Sequence, residues 1–205
     1  MGTYKGAMRF MAVGTIVLSL ILGTWGFKNV WADGEEKESG TLFNALPLSQ
    51  HTLADGIRQA TNGTEVAISA KFEMDDNGKL SLSVYTAEKG LAFDAKNNAL
   101  KELAGSPESQ TWNPQTEVFT DQEHLERAGK HLAIMAKSKL SLLDVVEKAQ
   151  KENQGTVFAA TPEREDNMSV IEVKIAQDGK VSEHHYDIAS GNEMKMDDMD
   201  DDDEY

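Results

Sequence analysis

The sequence contains no cysteine among its 205 residues. A disulfide framework, a lipid-modified cysteine anchor and a thiol nucleophile are therefore all excluded. The chain also lacks the G-x-S-x-G, H-E-x-x-H and G-x-x-x-x-G-K-(S/T) motifs, which serve serine hydrolysis, zinc proteolysis and phosphate binding. We therefore predict that the protein is not an enzyme and has no resident cofactor.

Basic residues are few, because 20 Lys and Arg stand against 35 Asp and Glu, a net charge of −15 with neutral histidines. A surface of this sign repels phosphate backbones, so nucleic acid is excluded as a partner. The chain is long enough for one ordinary domain or two small ones once the terminal segments are set aside.

One long uncharged run, residues 10–27, follows Lys5 and Arg9 near the N terminus. Val30 and Ala32 then place small residues before a cleavage site, and the arrangement predicts a secretory signal peptide over residues 1–32. Its removal leaves 17 basic against 35 acidic side chains, a net charge of −18. The alternative is a membrane anchor formed by residues 10–27, which just reach spanning length. Both interpretations predict an exported protein, periplasmic or extracellular, that contacts the membrane only if this segment is retained.

Two stretches of the chain, TLADGIRQAT and SLLDVVEKAQ, share one pattern. In each, a hydroxyl residue precedes an aspartate by three positions (Thr52 and Asp55, Ser141 and Asp144), which is typical of a capping box at the start of a helix. Apolar residues recur at helical spacing behind each cap. Alternating apolar residues and Gly-containing turns follow, and they predict short antiparallel strands. The repeated order predicts an internal duplication of one α+β unit.

Composition sets the boundaries of these units. The predicted organisation after the signal peptide is an acidic tether at 33–46, a first unit at 47–105, a linker at 106–120, a helix plus the second unit at 121–196, and an acidic disordered tail at 197–205. Two of the four prolines lie in the linker, where Trp112 is predicted to pin it onto one unit or, as the alternative, to anchor a docked partner. Thr120 and Glu123 predict a capped start for the further helix.

The second unit carries a family resemblance. Its SLLDVVEKA helix, Gly-Thr-Val strand start, IEVKIAQDGKV hairpin and HHYDIASGNEM ending resemble the PepSY domain from Lys139 to Met196. Leu48 to Leu103 resembles it less closely, with KNN where a closing glycine is usual. The resemblance implies a helix laid on an antiparallel sheet, in secreted or membrane-linked proteins. It also implies an association with peptidase inhibition or metallopeptidase propeptides, and it implies no catalytic residue.

The C terminus holds the candidate cation ligands. Carboxylates suit calcium and clustered thioethers suit cuprous copper. The candidates are Met194, Met196, Met199, Asp197, Asp198, Asp200, Asp201, Asp202, Asp203 and Glu204. One alternative is a solvated, self-repelling tail without an ion, and another is a segment that attracts a basic protein surface. His184 and His185 are not expected to share an ion, because neighbours on a strand point to opposite faces.

These patterns predict an α+β fold of two repeated PepSY-like, cystatin-like units, each a helix packed on a small antiparallel sheet. The predicted function is that of an exported, non-enzymatic binding or regulatory protein whose partner is a peptidase or another envelope protein. The alternative is an exported cation-binding protein that uses the Met/Asp-rich tail for calcium or copper.

Overall fold

A computed structural model of the protein describes residues 35–165 and 168–194. The helices are α1 (Glu35–Ala45), α2 (Leu53–Ala60), α3 (Gln122–Met135) and α4 (Leu142–Glu152), with a 3₁₀ turn at Leu46–Leu48. The strands are β1 (Val66–Met74), β2 (Leu80–Ala87), β3 (Leu100–Gly105), β4 (Gln115–Val118), β5 (Thr156–Glu165), β6 (Met168–Gln177), β7 (Lys180–Asp187) and β8 (Glu193–Met194).

The strands of the described residues form one eight-stranded sheet in the order β4-β3-β2-β1-β5-β6-β7-β8. Every neighbouring pair is antiparallel. The two halves meet at its centre through the pairs Ala70–Ala160 and Lys71–Ala159, and each half runs outward in chain order. The predicted α+β class and antiparallel pairing are confirmed. The strands of the two predicted units belong to one sheet rather than to two small ones.

Helices α2 and α4 begin at the predicted caps. The Thr52 and Ser141 hydroxyls each accept from the backbone N–H of the aspartate three residues later at 3.1 Å. Each aspartate carboxylate accepts in return from the backbone N–H of its cap residue at 3.0 Å. The buried residues are Leu53, Ala54, Gly56, Ile57 and Ala60 in α2 and Leu142, Val145, Val146 and Ala149 in α4. The predicted caps and inward faces are thus confirmed.

Both helices cover the same apolar face of the sheet. Helix α2 approaches β2 so closely that a Cβ atom at Gly56 would lie 2.6 Å from Leu82 Cδ2. Leu82 pairs with Phe72 of β1, and both side chains are buried. Burial of such side chains supplies most of the driving force for folding, at about 0.8 kcal/mol per CH₂ group.

Helix α3 lies on the opposite face of the sheet, where His131 Nδ1 is 3.1 Å from the hydroxyl oxygen of Ser69 on β1. Its N-cap is Asp121, whose carboxylate accepts from the backbone N–H of His124 at 3.0 Å. The predicted cap at Thr120 is therefore wrong by one residue. A carboxylate at this position also interacts favourably with the positive end of the helix dipole.

The predicted tether at 33–46 contains helix α1. The end of α1 packs on the core, since the Phe43 ring meets the Phe158 ring edge-on at 5.9 Å and Ala45 and Leu46 are buried. Charge in DGEEKESG indicated a solvated segment, but the apolar residues behind it attach the helix to the sheet.

The predicted linker at 106–120 contains strand β4. Trp112 in this stretch is fully buried, as its predicted pinning role requires. The third strand forms at Leu100–Gly105, after residues 88–99 make a long loop between β2 and β3.

Candidate functional site

The edge strand β4 presents free backbone hydrogen-bonding groups. The Phe119 N–H donates to Leu100 O at 3.0 Å, and the β3–β4 register continues from this pair. Because bonded and non-bonded pairs alternate in antiparallel strands, Gln115 and Glu117 bond to β3. The N–H and C=O groups of Thr116 and Val118 therefore point away from β3. On that side β4 has no neighbouring strand within the described part of the chain.

Strand β4 is held firmly although its side chains are exposed, Val118 to 50%. The indole N–H of Trp112 donates to Gly105 O at 3.1 Å, and the Gln59 side-chain amide donates to Trp112 O at 2.5 Å. These bonds attach the segment before β4 to both α2 and β3. The free edge is thus a preformed surface.

An apolar groove of about 610 Å³ lies between the β2–β3 loop and helix α3. We call it the apolar groove. Its apolar lining is Leu91, Ala92, Phe93, Ala95, Leu125, Leu132, Ala133 and Ala136. The Phe93 ring is 48% exposed and has the Lys89 ammonium 5.9 Å from its centroid. The loop approaches α3 where the helix has no side chain, since a Cβ atom at Gly129 would lie 3.2 Å from Ala95 Cβ.

A second cavity, of about 580 Å³, lies between α3 and the β5–β6 hairpin, and we call it the cationic cleft. Its basic lining residues are Lys130, Lys137 and Arg164, all exposed. None of the three forms an ion pair with another described residue. The acidic Glu163 also lines the cavity.

His131 lines both the cationic cleft and a smaller cavity of about 260 Å³ against β1 and β2. Burial lowers the pKa of His131 to about 4, and the neighbouring positive charges of Arg127 and Lys130 lower it further in the same direction. Partial burial raises the pKa of Glu163, and repulsion from the Glu172 carboxylate raises it further. His131 is therefore neutral at pH 7, in a positive local field.

His184 contacts two groups in an order that resembles a hydrolase triad. Its Nε2 is 2.9 Å from Ser182 Oγ, and its Nδ1 is 2.7 Å from Glu193 Oε1. Ser182 is exposed on the part of β7 that β8 does not pair. Charge on a substrate carbonyl there would be stabilised by bulk water, not by preorganised donors. We assign the Glu193 contact to the pairing of β7 with β8 and the Ser182 contact to neighbours along β7.

His185 points to the opposite face from His184, as predicted. Its Nε2 is 3.1 Å from Glu165 Oε2 and 3.9 Å from Glu172 Oε2. The Lys174 ammonium is 3.2 Å from Glu172 and 2.9 Å from a Glu183 oxygen. The Lys174 ammonium thus supplies a positive charge to Glu172 and Glu183. Within residues 35–165 and 168–194, no group of three or more His, Asp or Glu is arranged to bind a metal ion.

Most of the predicted cation ligands lie outside the described residues. Met194 is described, half-buried in β8 and paired with His185. The others, Met196, Met199, Asp197, Asp198, Asp200, Asp201, Asp202, Asp203 and Glu204, are beyond residue 194. Calcium or copper binding by the tail stays a prediction.

The three surfaces described above were not predicted from the sequence. A partial signal for the cationic cleft is present, because Lys130 and Lys137 are seven positions apart, about two helical turns, although Lys137 lies just past the end of α3. Arg164 comes from a distant strand and has no such signal. The free edge of β4 depends on strand order, which local patterns do not specify.

Comparisons with known proteins give little further information. No family model matches the chain, and no curated protein matches it. The PepSY resemblance therefore stays a prediction. Among solved structures, a Clostridium difficile 630 protein described as a "putative lipoprotein" is similar, at 17% identity and a TM-score of 0.35, over 64% of this chain and 81% of that one. A likeness this low supports no argument about function.

None of the helices in residues 35–165 and 168–194 is long and apolar enough to cross a bilayer. The predicted signal peptide at 1–32 lies outside these ranges.

Proposed function

We propose that the protein is an exported, non-enzymatic regulator that binds a peptidase or another envelope protein by pairing an extended segment of that partner with β4. The observation that carries the proposal is the outward direction of the Thr116 and Val118 backbone groups. An added strand would satisfy these groups, and main-chain hydrogen bonds give such complexes much of their affinity.

The structure around β4 favours a controlled partner over self-aggregation. The strand has only four residues, carries the charge of Glu117 and begins directly after Pro114. Short strands, charges and prolines are the usual protections of an edge against indiscriminate pairing. The apolar groove offers a second, separate surface for side chains of a protein partner.

Duplication of a PepSY-like unit is part of the proposal, and equivalent positions support it. Bulges interrupt β1 between Ala67 and Ser69 and β5 between Val157 and Ala159, which are 90 positions apart. The pair Ala70–Ala160, with the same separation, joins the two halves. Equivalent residues that face each other in this way are expected on a local twofold axis.

The turns before the capped helices are also alike. The hydroxyl oxygens of Ser49 and Ser138 accept from the backbone N–H groups of His51 and Leu140, at 3.1 and 3.2 Å. Both hydroxyls donate to the carbonyl of the same residue, at 2.6 and 2.8 Å. The matching local geometry supports a common origin of the two halves.

Export is proposed from the sequence of residues 1–32, which reads as a cleavable signal peptide. We propose that the protein is not an enzyme, because each Ser–His contact among the described residues is explained by a structural role. Ser69, next to His131, is only 4% exposed, so little of its surface is accessible to a substrate.

The test uses a proline that removes one outward donor. Proline at position 118 deletes the outward N–H but leaves the β3 ladder, and an edge strand tolerates it. We expect the wild-type protein to slow cleavage of casein by a thermolysin-like metallopeptidase or to retain a protein from envelope extract. We expect Val118→Pro to weaken that binding about tenfold, the effect of about 1.4 kcal/mol.

The matched control is Val118→Thr, which keeps the N–H and should bind within about twofold of the wild type. Glu117→Pro removes a ladder bond instead and reports on the cost of disturbing β4 itself. Unchanged binding by Val118→Pro would contradict pairing at this edge. No retained protein together with no effect on the peptidase would overturn the proposed function.

A further inference from the structure

The cationic cleft concentrates unpaired positive charge in a strongly acidic chain. Lys101, Lys148 and Lys174 elsewhere in the sheet and helices each contact a carboxylate. Lys130, Lys137 and Arg164 line one cavity of about 580 Å³ without such a contact in the described part of the protein. At a net charge of −15, carboxylates are abundant, so three clustered cations that have none indicate a site kept for an anionic group.

The residues around the cleft also make the local electrostatic potential positive. Arg127 lies with the half-buried His131 on the wall of the adjoining cavity, and His131 lines both spaces. One carboxylate, Glu163, lines the cleft and does not balance three cations. The site therefore suits several carboxylates presented together, as in an acidic peptide.

The chain itself contains a segment of this chemistry. Residues 197–205 hold seven acidic side chains in nine. The described chain ends at Met194, opposite His185, and the His185 ring is 3.1 Å from Glu165, the neighbour of Arg164. Strand β8 lies three strand spacings from β5, a distance of about 14 Å. Ten further residues reach up to about 33 Å, which allows for a change of direction.

We propose that the acidic segment Asp197–Glu204 binds in the cationic cleft of its own chain, with its carboxylates paired to Lys130, Lys137 and Arg164. This binding weakens as salt screens the pairs, because attraction between exposed charges falls within a Debye length of about 10 Å at 0.1 M. An external acidic peptide would then have to compete with it.

The test measures how fast each lysine of the full-length mature protein is acetylated, by mass spectrometry at 20 mM and 500 mM salt. The variant keeps every residue but neutralises the segment, with Asp197, Asp198, Asp200, Asp201, Asp202 and Asp203→Asn and Glu204→Gln. We expect Lys130 and Lys137 to react at least threefold more slowly in the wild type than in the variant at low salt, and equally at high salt. Lys79 and Lys151, exposed and outside the cleft, are the internal controls.

Carbodiimide coupling of the wild-type protein is the second measurement, since it joins a lysine to a carboxylate that already touches it. We expect tail-to-Lys130 or tail-to-Lys137 amides in the monomer band at all protein concentrations. Equal acetylation of the cleft lysines in both proteins would overturn the proposal. Coupling spread evenly over all lysines would also overturn it. Coupling found only in dimers would overturn it too, because the segment would then bind the cleft of another molecule.

Discussion

Arg58 of α2 donates to Glu147 of α4 over 2.5 Å, and the two residues are 89 positions apart. Thr52 and Ser141, the caps of these helices, have the same separation. Arg58 and Glu147 thus occupy the same position in two similarly capped helices. Such a contact between equivalent positions is what the proposed duplication requires at a local twofold axis.

The Arg58–Glu147 pair should couple the two helices only weakly. Its side chains are 50% and 46% exposed, and exposed pairs contribute about 0.5 kcal/mol. A double-mutant cycle of Arg58→Ala and Glu147→Ala, measured by urea denaturation, should give a coupling of this size. Reversal of both charges should retain it, whereas Arg58→Glu alone should cost more than Arg58→Ala. A coupling above about 2 kcal/mol would contradict a solvent-screened pair.

The two capping boxes should contribute equally to stability. Thr52→Ala and Ser141→Ala each remove the acceptor for an orphan helix N–H, and each should cost about 1 kcal/mol. The changes lie in separate helices, so the double variant should lose about their sum. Thr52→Ser and Ser141→Thr are the matched controls, because both keep the acceptor. A loss confined to one helix would show that the boxes differ in role.

Gly191 should tolerate no side chain. Its φ is +68°, and a Cβ atom there would lie 2.1 Å from Leu140 Cδ1. Lys148 also donates to its carbonyl oxygen at 2.6 Å. Gly191→Ala should cost about 3 kcal/mol from backbone strain and overpacking. Gly179→Ala, at φ +74° with nothing within 4 Å, should cost about 1 kcal/mol. Thermal denaturation that ranks the two equally would contradict the clash.

His131 should make the protein less stable in mild acid. The folded-state pKa is about 4 against an ordinary 6.5, so the unfolded chain binds the proton first. Its contribution is full above pH 6.5 and falls as the pH drops from 6.5 to 4, by up to about 3 kcal/mol. His131→Gln should therefore flatten the stability profile between pH 7 and 4.5 relative to the wild type. His51→Gln is the control, and equal slopes for both variants would contradict the assignment.

Local signals predicted the parts of the fold that local interactions determine. The caps at Thr52 and Ser141 depend on bonds within three residues, and the inward faces of α2 and α4 depend on helical spacing alone. Residues 33–46, predicted as a tether, contain helix α1, because Phe43 gains its partner, Phe158, from more than a hundred positions away. The linker prediction missed β4 for the same reason, since β4 forms only where β3 offers an edge.

The candidate sites likewise combine features set by local sequence with features set by long-range contacts. Lys130 and Lys137 are close along the chain, in α3 and just past its end, but Arg164 joins them only when β5 packs beside α3. The outward groups of Thr116 and Val118 depend on which strand ends the sheet. The sequence by itself determined the α+β class, the two capped helices and the acidic character, because these depend on neighbouring residues and composition. Only the tertiary structure decided the single sheet, its free edge and the cationic cleft, because long-range strand pairing and helix packing bring together residues that no local pattern connects.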